Sequence, residues 1–271
     1  MAQSKSHDSK HLRVESGSTR SGGFQPVSGE REANDWSMLQ ASTPHASVGT
    51  SLYCTRFQLK NHQWMHKTLP IQVYFMLQGD YKDTYRNLTT KVVRGLLWAA
   101  SSRCRPHYVL KTDDDCFVNL PLLLHFLSRQ NPIQNNLYAG HVRWSSPVVR
   151  DPNSRWYVSD ADFAGSRFVP YVNGAGYVLS LDVVRKFAKF SSLVRPFPNE
   201  DAYVGTVLYM VGVRPVYSAR FVAHSEAWQT CNFLYLFVIH HATPTRQFQF
   251  KEMAARAWEE CSKEDMANDW V

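Results

Sequence analysis

His107-Tyr108-Val109-Leu110-Lys111-Thr112-Asp113-Asp114-Asp115-Cys116-Phe117-Val118-Asn119-Leu120 is an apolar run that ends in three consecutive carboxylates and then turns apolar again. The run reads as a strand that delivers charge to the edge of a sheet. Adjacent aspartates repel one another and resist burial, so they need a cation, strong hydrogen-bond donors or full solvation. The apolar flanks argue against full solvation. Because side chains alternate along an extended chain, Asp113 and Asp115 are expected on one side and Asp114 on the other. Two carboxylates on one side can share a hard cation. Oxygen ligands suit Mg²⁺ or Mn²⁺, which commonly complete their shells with water and substrate phosphates. The competing reading of such a triplet is a solvated turn or a helix cap.

Upstream, residues 71–77 read as a good strand, closed by Gly79-Asp80. A helix capped by Asp83 or Thr84 should follow, with Leu88, Val92, Leu96 and Ala99 on one face. The strand-helix-strand order favours an α/β domain with a largely parallel sheet, which places ligands at the carboxyl ends of strands, where the aspartates lie. Downstream, residues 120–127 form a short amphipathic helix. Residues 131–170 read as loops and short strands that carry Trp144, Arg150, Arg155, Trp156 and Tyr157. Such loops suit sugar rings and phosphates, with packing of the tryptophans as the plain alternative.

The stretch 171–180 combines Gly174 and Gly176 with a strand, a pattern that lets the backbone approach a ligand closely. A helix over 181–190 follows. Glu200 and Asp201 then open a helix that runs to about Gly212. Two carboxylates there are either helix-dipole partners or a general base. Residues 233–239 read as a buried strand that ends in His240-His241, and a histidine beside a metal site is a candidate ligand or proton carrier. A last helix is expected over 251–261.

The 271 residues, 44% hydrophobic and 13% aromatic, suffice for a substantial core in one large or two small domains. The formal charge of +7 favours anionic partners. Nucleic acid is not among those expected, since no Lys/Arg block, zinc-finger spacing or nucleic-acid module is present. Cys54, Cys104, Cys116, Cys231 and Cys261 are odd in number and form no metal-ligand spacing, so they leave the redox compartment open. No apolar run reaches the roughly 18 residues of a membrane span, and residues 1–31 lack the apolar centre of a signal peptide.

Four motifs taken in order resemble the beta-1,3-galactosyltransferase family, the Golgi enzymes that include beta-1,3-N-acetylglucosaminyltransferases. They are Asp83-Thr84-Tyr85-Arg86-Asn87-Leu88-Thr89-Thr90-Lys91, Lys111-Thr112-Asp113-Asp114-Asp115, Gly174-Ala175-Gly176-Tyr177-Val178-Leu179-Ser180, and Glu200-Asp201-Ala202-Tyr203-Val204-Gly205. Each is weak alone; the ordered set is specific. The resemblance covers roughly residues 70–245 and implies a GT-A fold that holds a UDP-sugar through a divalent ion, usually Mn²⁺ (or Mg²⁺). It implies inverting transfer of galactose or an N-acetylhexosamine to a 3-hydroxyl of a glycan on a glycoprotein or glycolipid. Residue by residue, it makes Asp115 the direct metal ligand, with Asp113 facing the ribose or metal and Asp114 supporting the site. His240 completes the metal shell and Gly174 lies in the donor site. Asp201 is the expected base, with Glu200 the second choice. Trp156, Tyr171 and Tyr203 are candidates for acceptor binding, and Asn87-Leu88-Thr89 is an N-glycosylation sequon in keeping with a lumenal enzyme.

On this reading residues 1–48 are a disordered or non-homologous segment, 49–69 are unassigned, 70–262 form the transferase domain and 263–271 a polar tail. The sequence also departs from the family. An Ile-Arg-x-Thr-Trp element is not found before the first strand, and the acidic segment after that strand is shortened. The membrane anchor that would place the domain on the lumenal side of the Golgi membrane is not found, so the chain is expected to be a fragment, an alternative transcript or a mistaken gene model. Val172 and Val207 stand where the family often has cysteines, which implies an apolar contact in place of a disulfide. The alternative to an active enzyme is an impaired relative that binds glycans or a partner; a metal-dependent phosphohydrolase lacks a second ligand cluster.

Overall fold

The computed structural model describes residues 81–82, 84–101, 106–224, 227–262 and 269–270, with the backbone of three short strands ahead of them: β1 (Arg13–Val14), β2 (Thr50–Leu52) and β3 (Leu77–Gln78). The expected strand over 71–77 lies outside the described residues except for Leu77, and so does Asp83. Thr84 precedes a 3-10 turn, Tyr85–Asn87, without a side-chain cap bond. That turn runs into α1 (Leu88–Ser101), whose expected apolar face of Leu88, Val92, Leu96 and Ala99 is buried.

The chain continues through β4 (Tyr108–Asp113), β5 (Phe117–Val118), α2 (Leu120–Gln130), β6 (Tyr138–Arg143) and β7 (Tyr171–Ser180). α3 (Leu181–Phe190), a 3-10 turn at Ser191–Leu193, α4 (Glu200–Met210), β8 (Val216–Tyr217) and β9 (Phe221–Val222) follow. A 3-10 helix at Thr230–Leu234, β10 (Val238–Ile239) and α5 (Pro244–Glu260) complete it.

The main sheet has the order β2-β4-β7-β6-β8, and a small sheet has the order β5-β10-β9. Its pairings differ from the expected, mostly parallel arrangement. β2 with β4, β4 with β7 and β7 with β6 are antiparallel, while β6 with β8 and β10 with β9 are parallel. The physical reason is an insertion. β4, β6 and β8 share one direction, and α2 links β4 to β6, as the strand-helix-strand order requires. The ten-residue β7 then slides between β4 and β6 in the opposite direction, so these two parallel-running strands are not neighbours.

Both faces of this sheet are covered, which is why β4 and β7 are buried along most of their length. Alternation sends Val109, Tyr177 and Leu179 toward α1, α3 and α4, and Leu110 and Val178 toward α2. A third cluster, centred on Phe117, Phe233 and Phe250, seats α5 against the 3-10 helix. Val172 and Val207 are both fully buried in the first cluster.

The strand expected over 233–239 is shorter than its composition suggests. A capping box between Gln229 and Asn232 holds 230–234 as 3-10 helix, and Cys231 is disulfide-bonded to Cys261 at the end of α5, leaving only Val238–Ile239 as strand. The last helix starts seven residues earlier than expected: Thr243 caps it, its hydroxyl accepting from the Arg246 amide, and Pro244 occupies the first turn, where a missing N–H costs nothing.

Candidate active site

The site grows from one buried cation. Lys111 lies on the same face of β4 as Val109, turned toward α4, and is 1% exposed. Its ammonium donates to Asp113 Oδ1 at 2.7 Å, to Glu200 Oε1 at 3.1 Å and to the Gly174 carbonyl. Burial alone pushes its pKa down, but the charges of Glu200 and Asp113 outweigh this and hold it above the ordinary lysine value. Sequence reasoning quoted Lys111 within a motif and gave it no role of its own.

Asn199, in the left-handed region at φ 76°, turns the chain sharply into α4, so that Glu200 and Asp201 face β7. Asp201 Oδ2 accepts from the Gly174 amide at 3.0 Å, and Oδ1 from the Ala202 amide at 2.7 Å. Burial, and then the Glu200 charge, push the Asp201 carboxyl from an ordinary 3.8 up to about 7, against the opposing pull of the two amides and Lys111. The two carboxylates therefore have different tasks: Glu200 is ion-paired to Lys111, and Asp201 is poised near neutrality.

Gly174 sits between them, its carbonyl on Lys111 and its amide on Asp201. A Cβ there would lie 2.5 Å from Glu200 Oε1 and 3.4 Å from Asp201 Oδ2. The close approach that its glycine permits is thus to these carboxylates. Gly174→Ala is expected to displace the pair, lowering stability by about 1–3 kcal/mol as an overpacked site does, and activity with it. Thermal denaturation checks this, and wild-type stability in the variant would mean that the carboxylates yield freely.

The acidic triplet does not behave as a strand throughout. β4 ends at Asp113, and residues 114–115 form a turn. Asp113 therefore stays on the Lys111 face, while Asp115 swings to the loop after β10. There Asp115 Oδ1 lies 3.3 Å from His240 Nε2, and Oδ2 lies 3.7 Å from His241 Nδ1. Asp115, His240 and His241 can bring one ligand atom each within 4.8 Å of one another; Asp113 is not in this group. His241 was not foreseen, since neighbouring side chains on a strand point apart. It is in the left-handed region at φ 57°, which brings its ring back to stack on His240 at 3.8 Å.

The His240 Nδ1 atom is 3.2 Å from the Ala223 carbonyl, which can only accept. An Nδ1–H donated to that carbonyl would leave Nε2 turned to the Asp115 carboxylate, the arrangement by which a histidine is oriented as a metal ligand. One carboxylate and two imidazoles fit a divalent metal, and the imidazoles favour Mn²⁺ over Mg²⁺. The main chain fixes this corner: the Ala242 amide donates to the Asp115 carbonyl at 2.7 Å, and Gln247 Nε2 donates to the Asp114 and Ala242 carbonyls at 2.8 and 3.1 Å.

The acceptor candidates separate. Trp156 is 51% exposed. Tyr171 is buried, its pKa pushed up to about 12 by burial and by Asp201. Tyr203 is 1% exposed, with its hydroxyl donated to the Ser191 and Val194 carbonyls, so the core takes it and no face is left for a ligand. In the sequon, Asn87 Nδ2 donates to the Lys82 carbonyl at 2.7 Å, and the buried Thr89 hydroxyl donates to the Phe197 carbonyl at 2.7 Å.

The sequence matches the Galactosyltransferase family model over residues 73–218, more than half the chain. It is 32% identical over 166 residues to beta-1,3-galactosyltransferase 1 of Mus musculus and of Homo sapiens, covering 61% of this chain and 51% of each relative. It is 30% identical over 183 residues to beta-1,3-galactosyltransferase 2 of Homo sapiens, covering 66% of this chain and 43% of that one. The chain thus spans about half the length of the relatives it matches. The match contains β4 with its acidic end, β7 with Gly174, and the first turn of α4 with Glu200 and Asp201, and on that ground the chain belongs to the beta-1,3-galactosyltransferase family.

Proposed function

We propose that this chain, in a GT-A-type fold, transfers galactose or a related hexose from a UDP-sugar to the 3-hydroxyl of a glycan on protein or lipid, forming a beta-1,3 linkage. The observation that carries the reading is the division of labour between the paired carboxylates of α4. Lys111 neutralises Glu200, while Asp201 is held near pH 7 as a base beside it. Asp201 takes the proton of the acceptor hydroxyl as that oxygen bonds to the anomeric carbon. The bond from that carbon to the diphosphate breaks with its electron pair going to UDP, and a single displacement inverts the centre.

Asp115, His240 and His241 would hold Mn²⁺ (or Mg²⁺), which when bound supplies charge neutralisation for the diphosphate. Asp113 and the Gly174 backbone are tied to Lys111, so their part in donor binding is to shape the floor of the site. A Golgi-lumenal location accords with the Cys231–Cys261 disulfide, which belongs to an oxidising compartment. Among the described residues, no helix is long and apolar enough to cross a membrane.

Calorimetric titration of UDP with Mn²⁺, repeated with EDTA, tests the site. Metal-dependent binding is expected, with Asp115→Ala and His240→Ala abolishing it and His241→Ala weakening metal affinity about 10–100-fold. Failure of folded wild-type protein to bind UDP under any of these conditions would overturn the transferase reading.

A further inference from the structure

A second charged surface lies outside the buried carboxylate network. The 3-10 turn before α1 contributes Tyr85 and Arg86, and the turn after β6 contributes Arg155, Trp156 and Tyr157. The two segments interlock reciprocally. The Arg155 guanidinium lies 4.8 Å from the Tyr85 ring centroid and 5.2 Å from that of Trp156, and Arg86 lies 5.8 Å from that of Tyr157. Both arginines are exposed. Stacking limits the motion of each guanidinium, and the N–H groups of Arg155 that do not meet the Tyr85 hydroxyl remain for an oxyanion, so less freedom is lost when one binds.

The nearby acids are committed elsewhere. Asp160 pairs with Arg150 at 3.1 Å, Asp162 with Arg195 at 3.8 Å, and Asp151 Oδ1 accepts from the Asn153 backbone and side-chain amides. Arg150, in the same loop, shows what a structural arginine looks like here: it donates to the Val158, Phe163 and Gly165 carbonyls and stiffens the loop from within. Among the described residues neither Arg86 nor Arg155 has a carboxylate partner. Two such charges on one patch are costly until an anion joins them.

The patch is also close to the reacting groups. Burial raises the Tyr85 phenol pKa, a hydrogen bond from Arg155 lowers it, and the charges of Glu200 and Asp201 raise it again, so one ring touches the arginine patch and feels the base. We propose that Arg86, Arg155 and Trp156 form an acceptor subsite for an acidic sugar, with the ring on the exposed Trp156 face and an oxyanion substituent held by the two guanidiniums. Its placement beside the base rests on the transferase reading; its capacity to bind an acidic sugar does not.

Three probes of one shape decide this: methyl β-galactoside, its 6-sulfate and methyl β-galacturonide, titrated into the full chain by ligand-observed NMR with Mn²⁺ and UDP present. The charged sugars are expected to bind about tenfold more tightly than the neutral one. The preference should shrink as salt rises from about 0.05 to about 0.5 M. Arg155→Gln and Arg86→Gln should each reduce it, and the double variant should remove it while the protein stays folded, with only the modest loss of thermal stability that exposed cation–π contacts account for. The tighter of the two charged probes identifies sulfate or carboxylate as the source. Equal binding of all three, no detectable binding of the charged sugars, or a preference that survives the double variant overturns the proposal. So does weakened UDP binding in Arg155→Gln, which would assign the patch to the donor. If the wild type fails to bind UDP yet binds the charged sugars through these arginines, the transferase reading falls and the anionic subsite stands.

Discussion

Lys111→Met is expected to destabilise the fold by about 3–5 kcal/mol, the usual cost of removing one member of a buried ion pair. The Lys111 side chain is 2% exposed, and that of Glu200 10%. Methionine fills similar space but leaves Glu200 and Asp113 facing the same small volume with no cation, and leaves the Gly174 carbonyl without its donor. The loss also reaches the base. Lys111 lowers the Asp201 pKa, so its removal drives that carboxyl further toward the protonated form. Urea denaturation measures the first effect, and the midpoint of the pH–rate profile the second. A discriminating control is the triple variant Lys111→Met, Glu200→Gln, Asp113→Asn. Removing the whole network should recover most of the stability and none of the activity. Stability of Lys111→Met within about 1 kcal/mol of wild type would mean that the lysine is not what holds the site together.

How much of this was legible depended on whether local chemistry or tertiary contact decided the matter. The bounds of β7 and α3 follow from their sequences, because a β-prone run that meets Leu181-Asp182 with a helical apolar period allows few alternatives. The buried face of α1 was equally readable. The expected, largely parallel sheet was not found, since nothing in β4 or β6 announces that β7 will enter between them in the opposite direction. In the site, the four acidic positions and His240 carry recognisable chemistry. Their grouping does not: the separation of Asp113 from Asp115 depends on β4 ending at the first residue of the triplet, and the recruitment of His241 depends on a left-handed backbone. Lys111 could have been found from alternation. It lies between Val109 and Asp113 at intervals of two, so a face that begins in the core and ends in a carboxylate had to carry its charge inside. Tyr203 shows the converse, an aromatic beside two catalytic candidates whose hydroxyl is needed to hold the turn after α3.

Asp201→Asn is expected to reduce turnover by about 10²–10⁴-fold, the usual contribution of a general base, while Glu200→Gln acts mainly through the pairing with Lys111. With the Asp201 carboxyl pushed up to about 7, the wild-type rate should rise through a midpoint near that pH, because only the ionised form can accept the acceptor's proton. The same shift makes a stability prediction of opposite sign. Below the ordinary value of 3.8 the carboxyl is protonated in both folded and unfolded chains and makes no difference. As pH rises from there toward 7, the unfolded chain has released a proton that the folded chain keeps, so the fold loses stability with increasing pH, up to about 4 kcal/mol for a shift of this size. Above the folded value the loss is complete. Asp201→Asn should therefore reduce activity as above and flatten this descent, so that between about pH 4 and 7 wild-type stability falls more steeply than that of the variant. Activity retained within about tenfold would remove Asp201 as the base. Parallel stability curves for the two proteins would show that its carboxyl ionises no differently in the folded chain. The two results together decide whether the fold bears a cost at α4 that catalysis explains, because the Gly174 and Ala202 amides and Lys111 offset only part of the cost of burying Asp201 beside Glu200.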